Sequence, residues 1–182
     1  MRKTILYQLI IFALYFGFPI LLSGQNERVS LSGMDASISY NYLEDLKFHV
    51  SFSHTFKQHE PFFGLEVPVS SDPVSNFGLN VGYKFYPNKT RQSFDFFFIY
   101  LMQAGSRKLY SNSTTDGFSL QNLIGYGFNV YFNDKIFLKH HIAAGVENAW
   151  FGEHGNFNDF SLMISLGIGM KLKSRNAVPV GR

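Results

Sequence analysis

From Phe160 to Lys173 the chain alternates between two kinds of residue. The even positions are Phe160, Leu162, Ile164, Leu166, Ile168, Met170 and Leu172. The odd positions are Ser161, Ser165, Gly167, Gly169, Lys171 and Lys173, with Met163 the one large apolar exception. Side chains point to opposite faces along a β-strand, so this segment predicts a strand with one apolar face and one polar, glycine-rich face. Seven apolar positions opposite Gly, Ser and Lys suit a strand between lipid and a narrow polar lumen better than a strand in a soluble core.

The same alternation recurs upstream. Residues 135–147 place Ile136, Leu138, Ile142, Ala144 and Val146 opposite Lys139, His141, Gly145 and Glu147. Residues 117–132 set Ile124, Tyr126, Phe128, Val130 and Phe132 against Gly125, Gly127 and Asn129, and 76–86 set Phe77, Leu79, Val81, Tyr83 and Phe85 against Gly78, Asn80, Gly82 and Lys84. Residues 46–56 oppose Leu46, Phe48, Val50, Phe52 and Phe56 to Lys47, His49, Ser51, Ser53 and Thr55. Residues 93–104 set Phe94, Phe96, Phe98, Tyr100 and Met102 outward, while the inward set begins with Asp95 and continues with Phe97, Ile99 and Leu101, which leaves burial on both faces open. Residues 61–70 form a weaker strand, because Pro61 and Pro68 each remove a ladder donor. In 28–42 the parity changes near Gly33, where a bulge would reconcile the two halves.

Eight strands result, and the expected fold is an all-β, eight-stranded antiparallel up-and-down transmembrane barrel over residues 25–173. An even count puts both ends of the barrel on one side. Residues 57–60, 87–92 and 133–134 become turns on that side, and 43–45, 71–75, 105–116 and 148–158 become loops on the other. A soluble barrel with the apolar face inside is disfavoured by volume: eight strands enclose room for side chains or one small ligand, and rows of Phe, Leu and Ile would overfill it.

The N-terminus adds a location. Met1-Arg2-Lys3 is followed by an apolar stretch from Ile5 to Leu22 and then by Ser23, Gly24 and Gln25, the order of a secretory signal peptide cleaved after Gly24. Residues 1–24 are thus expected to be a leader, which leaves one domain of about 158 residues and a tail at 174–182. The leader holds Arg2 and Lys3 and no acid, so the 16 basic side chains fall to 14 against 13 acidic ones. The basic balance therefore carries no nucleic-acid inference. The absence of cysteine excludes disulfides, thiolate chemistry and a lipidated N-terminal cysteine. The chain holds 21 Phe and 10 Tyr, and strand after strand the aromatics fall mainly on one parity, as a lipid-facing surface with interfacial aromatics requires.

With the leader, the Gly-x-Gly segments (Gly125-Tyr126-Gly127, Gly167-Ile168-Gly169) and the strand-to-turn Gly82-Tyr83-Lys84-Phe85-Tyr86-Pro87-Asn88, the chain resembles the small outer-membrane β-barrel proteins of Gram-negative bacteria. The resemblance implies an outer-membrane location, contact with outer-membrane lipid and assembly by the barrel-assembly machinery. Such barrels commonly end on an aromatic residue, whereas this chain runs on through 174–182. Either the insertion signal is internal, near Met170 to Leu172, or the tail is an extension.

The inward parity gathers Asp35, Glu66, Asp95 and Glu147 with Lys47, Lys84, Lys139 and Lys171, which reads as a salt-bridged plug, since buried charges must be paired or solvated. Lys139 and Glu147, on one strand, are expected to share this network. His49 and Ser51 lie two apart on one face, a spacing that permits a His–Ser pair and resembles the His-x-Ser element of outer-membrane lipid A deacylases, but no acid partner is identifiable and the pair points inward. His54 falls on the lipid-facing parity near a strand end, as an interfacial residue. Candidate loop contacts are Arg107, Lys108 and Tyr110 in one loop and Trp150, Phe151 and His154 in another, with Trp150 and Phe151 equally suited to an aromatic girdle. No cofactor, metal or nucleic-acid signature is present. The expected function is a non-enzymatic outer-membrane barrel with a plugged lumen and a structural or surface-interaction role. The alternatives are a narrow small-solute channel and, less favoured, a lipid-modifying enzyme.

Overall fold

The computed structural model describes residues 26–27, 31–43, 45–69, 75–109 and 115–172. The expected leader, the tail and Tyr110 lie outside the described residues. Eight strands form the barrel: β1 Leu31–Asn41, β2 Asp45–Thr55, β3 His59–Pro68, β4 Ser75–Phe85, β5 Phe94–Lys108, β6 Asp116–Tyr131, β7 Ile136–Trp150 and β8 Asn156–Leu172. Each pairs antiparallel with its neighbours in sequence, and β8 closes on β1 through Leu166↔Ile38 and its flanking pairs. Closure leaves no free edge, the condition under which a sheet can stand in hydrocarbon. The segment Asn26–Glu27 pairs with Thr90–Arg91 as a separate two-stranded ladder.

Two features of the N-terminal strands differ from expectation. No bulge forms at Gly33: Ser32↔His54, Gly33↔Ser53 and Met34↔Phe52 run in unbroken register. Leu31 therefore takes the inward parity and is half-buried. The irregularity lies in β4, where Ser75 pairs with Arg107 but Gly78 with Gly105, one extra residue on the β4 side. Pro61 does not interrupt β3, because the β2 ladder passes over it: Ser53↔Phe62 and the bridge Phe56↔His59 share one register.

The connections are tighter than the sequence suggests. His59 and Glu60 belong to β3, Gly105 to Lys108 belong to β5, and Asn148 to Trp150 belong to β7. A two-residue turn at Lys57-Gln58 joins β2 to β3, with Lys57 at φ 53° and paired backbone bonds between Phe56 and His59. The β6–β7 turn is closed by Asn133, whose Oδ1 accepts from the N–H of Lys135 and of Ile136, each at 2.8 Å. Both turns, with connection 86–93, lie at the end where β1 begins and β8 finishes, here the terminal end. Gln58 Nε2 donates to the carbonyls of Tyr86 and Pro87, and Arg91 pairs with Asp134 at 3.1 Å, so the three connections are laced together. At the far end the β8 ladder to β1 begins only at Met163, so 156–162 rise as a taller wall with β7.

The alternation resolves into an outside and an inside. Ile124 is 70 % exposed, Phe63 61 % and Leu166 55 %, while Asp95 is 0 % and Lys84 1 % exposed. An apolar surface that runs round every strand is far beyond what a water-soluble monomer presents. β5 is buried on one face: Phe98 and Tyr100 are exposed, while Asp95, Phe97, Ile99, Leu101 and Gln103 are enclosed. Among the described residues no helix is long and apolar enough to cross a membrane, so spanning falls to the strands.

Glycine makes room where aromatic rings enter the lumen. A Cβ on Gly82 would run into the ring of Phe62, and one on Gly169 into the ring of Phe137. The inward face is thus packed ring against backbone, as an eight-stranded interior requires.

Ile164 and Ser165 are neighbours on opposite faces, and their substitutions should diverge. Ile164→Lys should cost about 2–4 kcal/mol near mid-bilayer, while Ile164→Leu should be silent. Ser165→Leu should destabilise by forcing a large side chain into the filled lumen. Urea unfolding in vesicles with heat-modifiable gel mobility measures each, and equal tolerance of leucine at 164 and 165 would reverse the face assignment.

Candidate functional site

All eight charged residues assigned to the inward face are buried in the lumen: Asp35, Lys47, Glu66, Lys84, Asp95, Lys139, Glu147 and Lys171. They form local clusters and not one network. Nearest the terminal end, Glu60 is the hub. Its carboxylate accepts from Lys84 Nζ at 2.8 Å, from Lys171 Nζ, from Thr55 Oγ1 and from Tyr86 Oη at 3.2 Å. Tyr86 Oη in turn accepts from Asn129 Nδ2 at 3.0 Å, and Asn129 faces Asp95 across the β5–β6 ladder. Two lysines and two carboxylates therefore share this layer. Lys84 also lies 5.2 Å from the Phe62 ring centre and 5.4 Å from that of Phe97.

Further along the axis, Lys139 pairs with Asp35 across the closing seam. Towards the far end Lys47 Nζ lies 2.9 Å from Glu66 Oε1, and Gln103 Nε2 donates to Glu66 Oε2 at 2.7 Å. Beyond them Arg107 pairs with Glu147. Asn41 Nδ2 donates to Gln121 Oε1 at 2.9 Å and to Ser161 Oγ at 3.1 Å.

Three expectations are corrected here. Lys139 and Glu147 do not share a cluster: eight residues of strand, roughly 26 Å, separate them, and each has its own partner. Arg107, Lys108 and Trp150 are not loop contacts. Arg107 is a lumen cation, Lys108 ends β5, and Trp150 faces outward stacked on Phe118 at 5.8 Å, the geometry of an interfacial girdle. Phe151 is buried and meets Phe157 edge-on at 5.7 Å, which leaves His154, exposed in the one-turn 3₁₀ helix Gly152–His154, as the candidate in a described loop.

The third correction concerns His49. Its hydroxyl partner is Ser39 on β1, not Ser51, and its Nδ1 lies 3.5 Å from Glu66 Oε2 and 3.3 Å from Asn80 Nδ2. A serine, a histidine and an acid thus stand in line. The acid is already engaged by Lys47 and Gln103, and Ser39 is 1 % exposed. A small cavity of about 20 Å³, the size of a water molecule, is lined by His49, Ser51, Asn80, His141 and Ser165 among others, but not by Ser39. The hydroxyl that could act as nucleophile has no space beside it for a substrate carbonyl. Both ring nitrogens of His141, Oδ1 of Asn80 and Oγ of Ser165 find no protein partner and front this cavity. Among the described residues no group of three metal-ligating side chains occurs. On the outer surface His54 meets Ser32 Oγ at 3.2 Å, near the terminal end as its parity implies.

Glu60 and Arg107 were missed for one reason: each was placed in a connection. Glu60 shares parity with Phe62 and Glu66, and Arg107 shares parity with Asp95 and Gln103, so extending the alternation across the assumed boundary would have found both.

The fold has counterparts among solved structures. The N-terminal β-barrel domain of Pseudomonas aeruginosa OprF superposes with a TM-score of 0.59 at 14 % identity, covering 82 % of this chain and 100 % of that domain. Neisserial surface protein A gives a TM-score of 0.47 at 10 % identity over 79 % of this chain and 96 % of its own. A de novo designed transmembrane β-barrel gives 0.43 at 14 % identity over 81 % and 100 %. No protein-family model matches the chain, and no curated protein matches it in sequence. The match to the OprF domain extends to the whole closed eight-stranded architecture. With an apolar exterior and a polar, filled interior, this is a membrane barrel.

Removing one partner of a buried pair strands the other charge, at a cost of about 3–5 kcal/mol. Glu60→Gln strands two lysines and should be the most destabilising single neutralisation in the lumen. Glu147→Gln should be partly rescued by Arg107→Met and not by Lys139→Met. Double-mutant unfolding cycles measure the coupling, and rescue by Lys139→Met would contradict the separation of the clusters.

Proposed function

We propose that this chain is a non-enzymatic outer-membrane barrel whose lumen is closed to solutes, with a structural or surface-interaction role. The observation that carries the reading is the set of side-chain bonds between strands that are not neighbours. Lys171 on β8 reaches Glu60 on β3 near the terminal end, and Asn41 on β1 reaches Gln121 on β6 towards the far end. Each of these bonds must cross the interior. Between them, Phe62, Phe97, Ile99, Leu101, Leu123 and Met163 form a buried apolar cluster. An ion moving along the axis would have to break two polar crossings and pass an apolar constriction.

The enzyme reading is weakened by the enclosure of Ser39 and the engagement of Glu66. An outer-membrane location is supported by the leader expected from the sequence of residues 1–24, by the closed barrel and by the likeness to the OprF domain. In that setting the terminal end faces the periplasm and the taller wall of β7 and β8 faces outward. The side chains there, His154 among them, are the surface through which a partner would be met.

Planar-bilayer recording tests the closed lumen. The wild type should give no regular conductance steps in molar KCl. Phe62→Ala combined with Leu101→Ala, which empties part of the constriction, should admit them. Steady steps in the wild type would replace the plug with a channel.

A further inference from the structure

We propose that the terminal rim of the barrel is a contact surface for the phosphate headgroups of anionic phospholipid. Three connections meet at this rim, and each repeats one arrangement. Phe56, just past β2, Phe85, which ends β4, and Phe132, just past β6, are outward-facing aromatics 44 %, 36 % and 66 % exposed. Lys57, Lys89 and Lys135 follow them within four residues, and all three are exposed. Arg91 lies in the same rim, its guanidinium 4.7 Å from the Tyr131 ring centre. Two acids lie among these four cations: Asp134, engaged by Arg91, and Glu27, opposite Thr90 on the short ladder.

The order of the groups specifies the partner. An aromatic ring at the edge of an apolar band settles at headgroup depth, and a lysine just beyond it extends its ammonium to the phosphate layer. A soluble polyanion would need the lysines but not the rings. The connections between the strands at the opposite end differ in sequence: 42–44, 69–74, 109–115 and 151–155 contain Glu44, Asp72 and Glu153 and no Lys or Arg. The terminal rim thus presents an excess of cations where the sequence of the opposite connections offers none, and it is the rim that complements an anionic leaflet. The inference rests on the membrane-barrel reading and adds to it which lipid is met, and where.

The test is electron paramagnetic resonance on the full chain refolded in phosphatidylcholine vesicles, with a trace of spin-labelled phosphatidylglycerol or spin-labelled phosphatidylcholine. The immobilised fraction gives the preference of the protein perimeter for one headgroup over the other. The wild type should favour phosphatidylglycerol about twofold or more, and the preference should fade near 1 M salt, where the screening length is about 3 Å. The triple variant K57Q/K89Q/K135Q should lose it, whereas K57R/K89R/K135R, and E44Q/D72N/E153Q on the other rim, should keep it. No preference in the wild type, or an unchanged preference in the glutamine triple, would overturn the proposal. Failure of the wild type to gain heat-modifiable mobility in any vesicle would instead defeat the membrane reading, and the rim assignment with it.

Discussion

Closure of the hydrogen-bond ladder at eight strands is the constraint from which the rest follows. In hydrocarbon every backbone donor and acceptor must be paired within the protein, and the β8–β1 seam completes that pairing. Closing at eight also fixes a narrow interior. Whatever points inward must fit with its neighbours and satisfy its own polar atoms, while the outside is left to apolar side chains that need no protein partner. The composition of each strand answers that division: Phe, Leu, Ile and Tyr on one parity, and Gly, Ser, Asn and paired charges on the other.

The lumen solves its packing problem with glycine as much as with charge. Phe62 and Phe137 lie over Gly82 and Gly169, so rings occupy the volume that side chains at those positions would have taken. Lysines then lie close to the ring faces while their ammonium groups reach carboxylates, as Lys84 does between Phe62, Phe97 and Glu60. A carboxylate shared by two lysines is an economical acceptor where space is short. It also places one side chain, Glu60, under three strands at once, since β2, β4 and β8 all bond to it.

The fold was legible because a two-residue period is hard to produce by other means over so many segments. Strand number, facing and all eight inward charges followed from parity alone. Strand ends were less legible, since glycine and serine in 105–108 and asparagine at 148 suit a loop and a polar inner wall equally well. The expected bulge at Gly33 arose from giving Val29 and Leu31 to the outer face, whereas the described ladder keeps Leu31 inside. Which charge pairs with which was beyond reach, because partners such as Lys139 and Asp35 are 104 residues apart and meet only after closure. The line of Ser39, His49 and Glu66 joins three strands, so spacing within one strand pointed to Ser51 instead.

The buried apolar residues on the β5–β8 wall have a consequence of their own. On β5 they stand between Asp95 and Gln103, on β6 Leu123 stands between Gln121 and Asn129, and on β8 Met163 stands between Ser161 and Ser165. They form an apolar wall beside which the charge clusters of the two ends stand apart. Charge at the far end is settled by Arg107 with Glu147 and Lys47 with Glu66, while Glu60 settles the terminal end with Lys84 and Lys171. The barrel is held shut twice, by bonds at either end that share no side chain, so losing one set leaves the other in place.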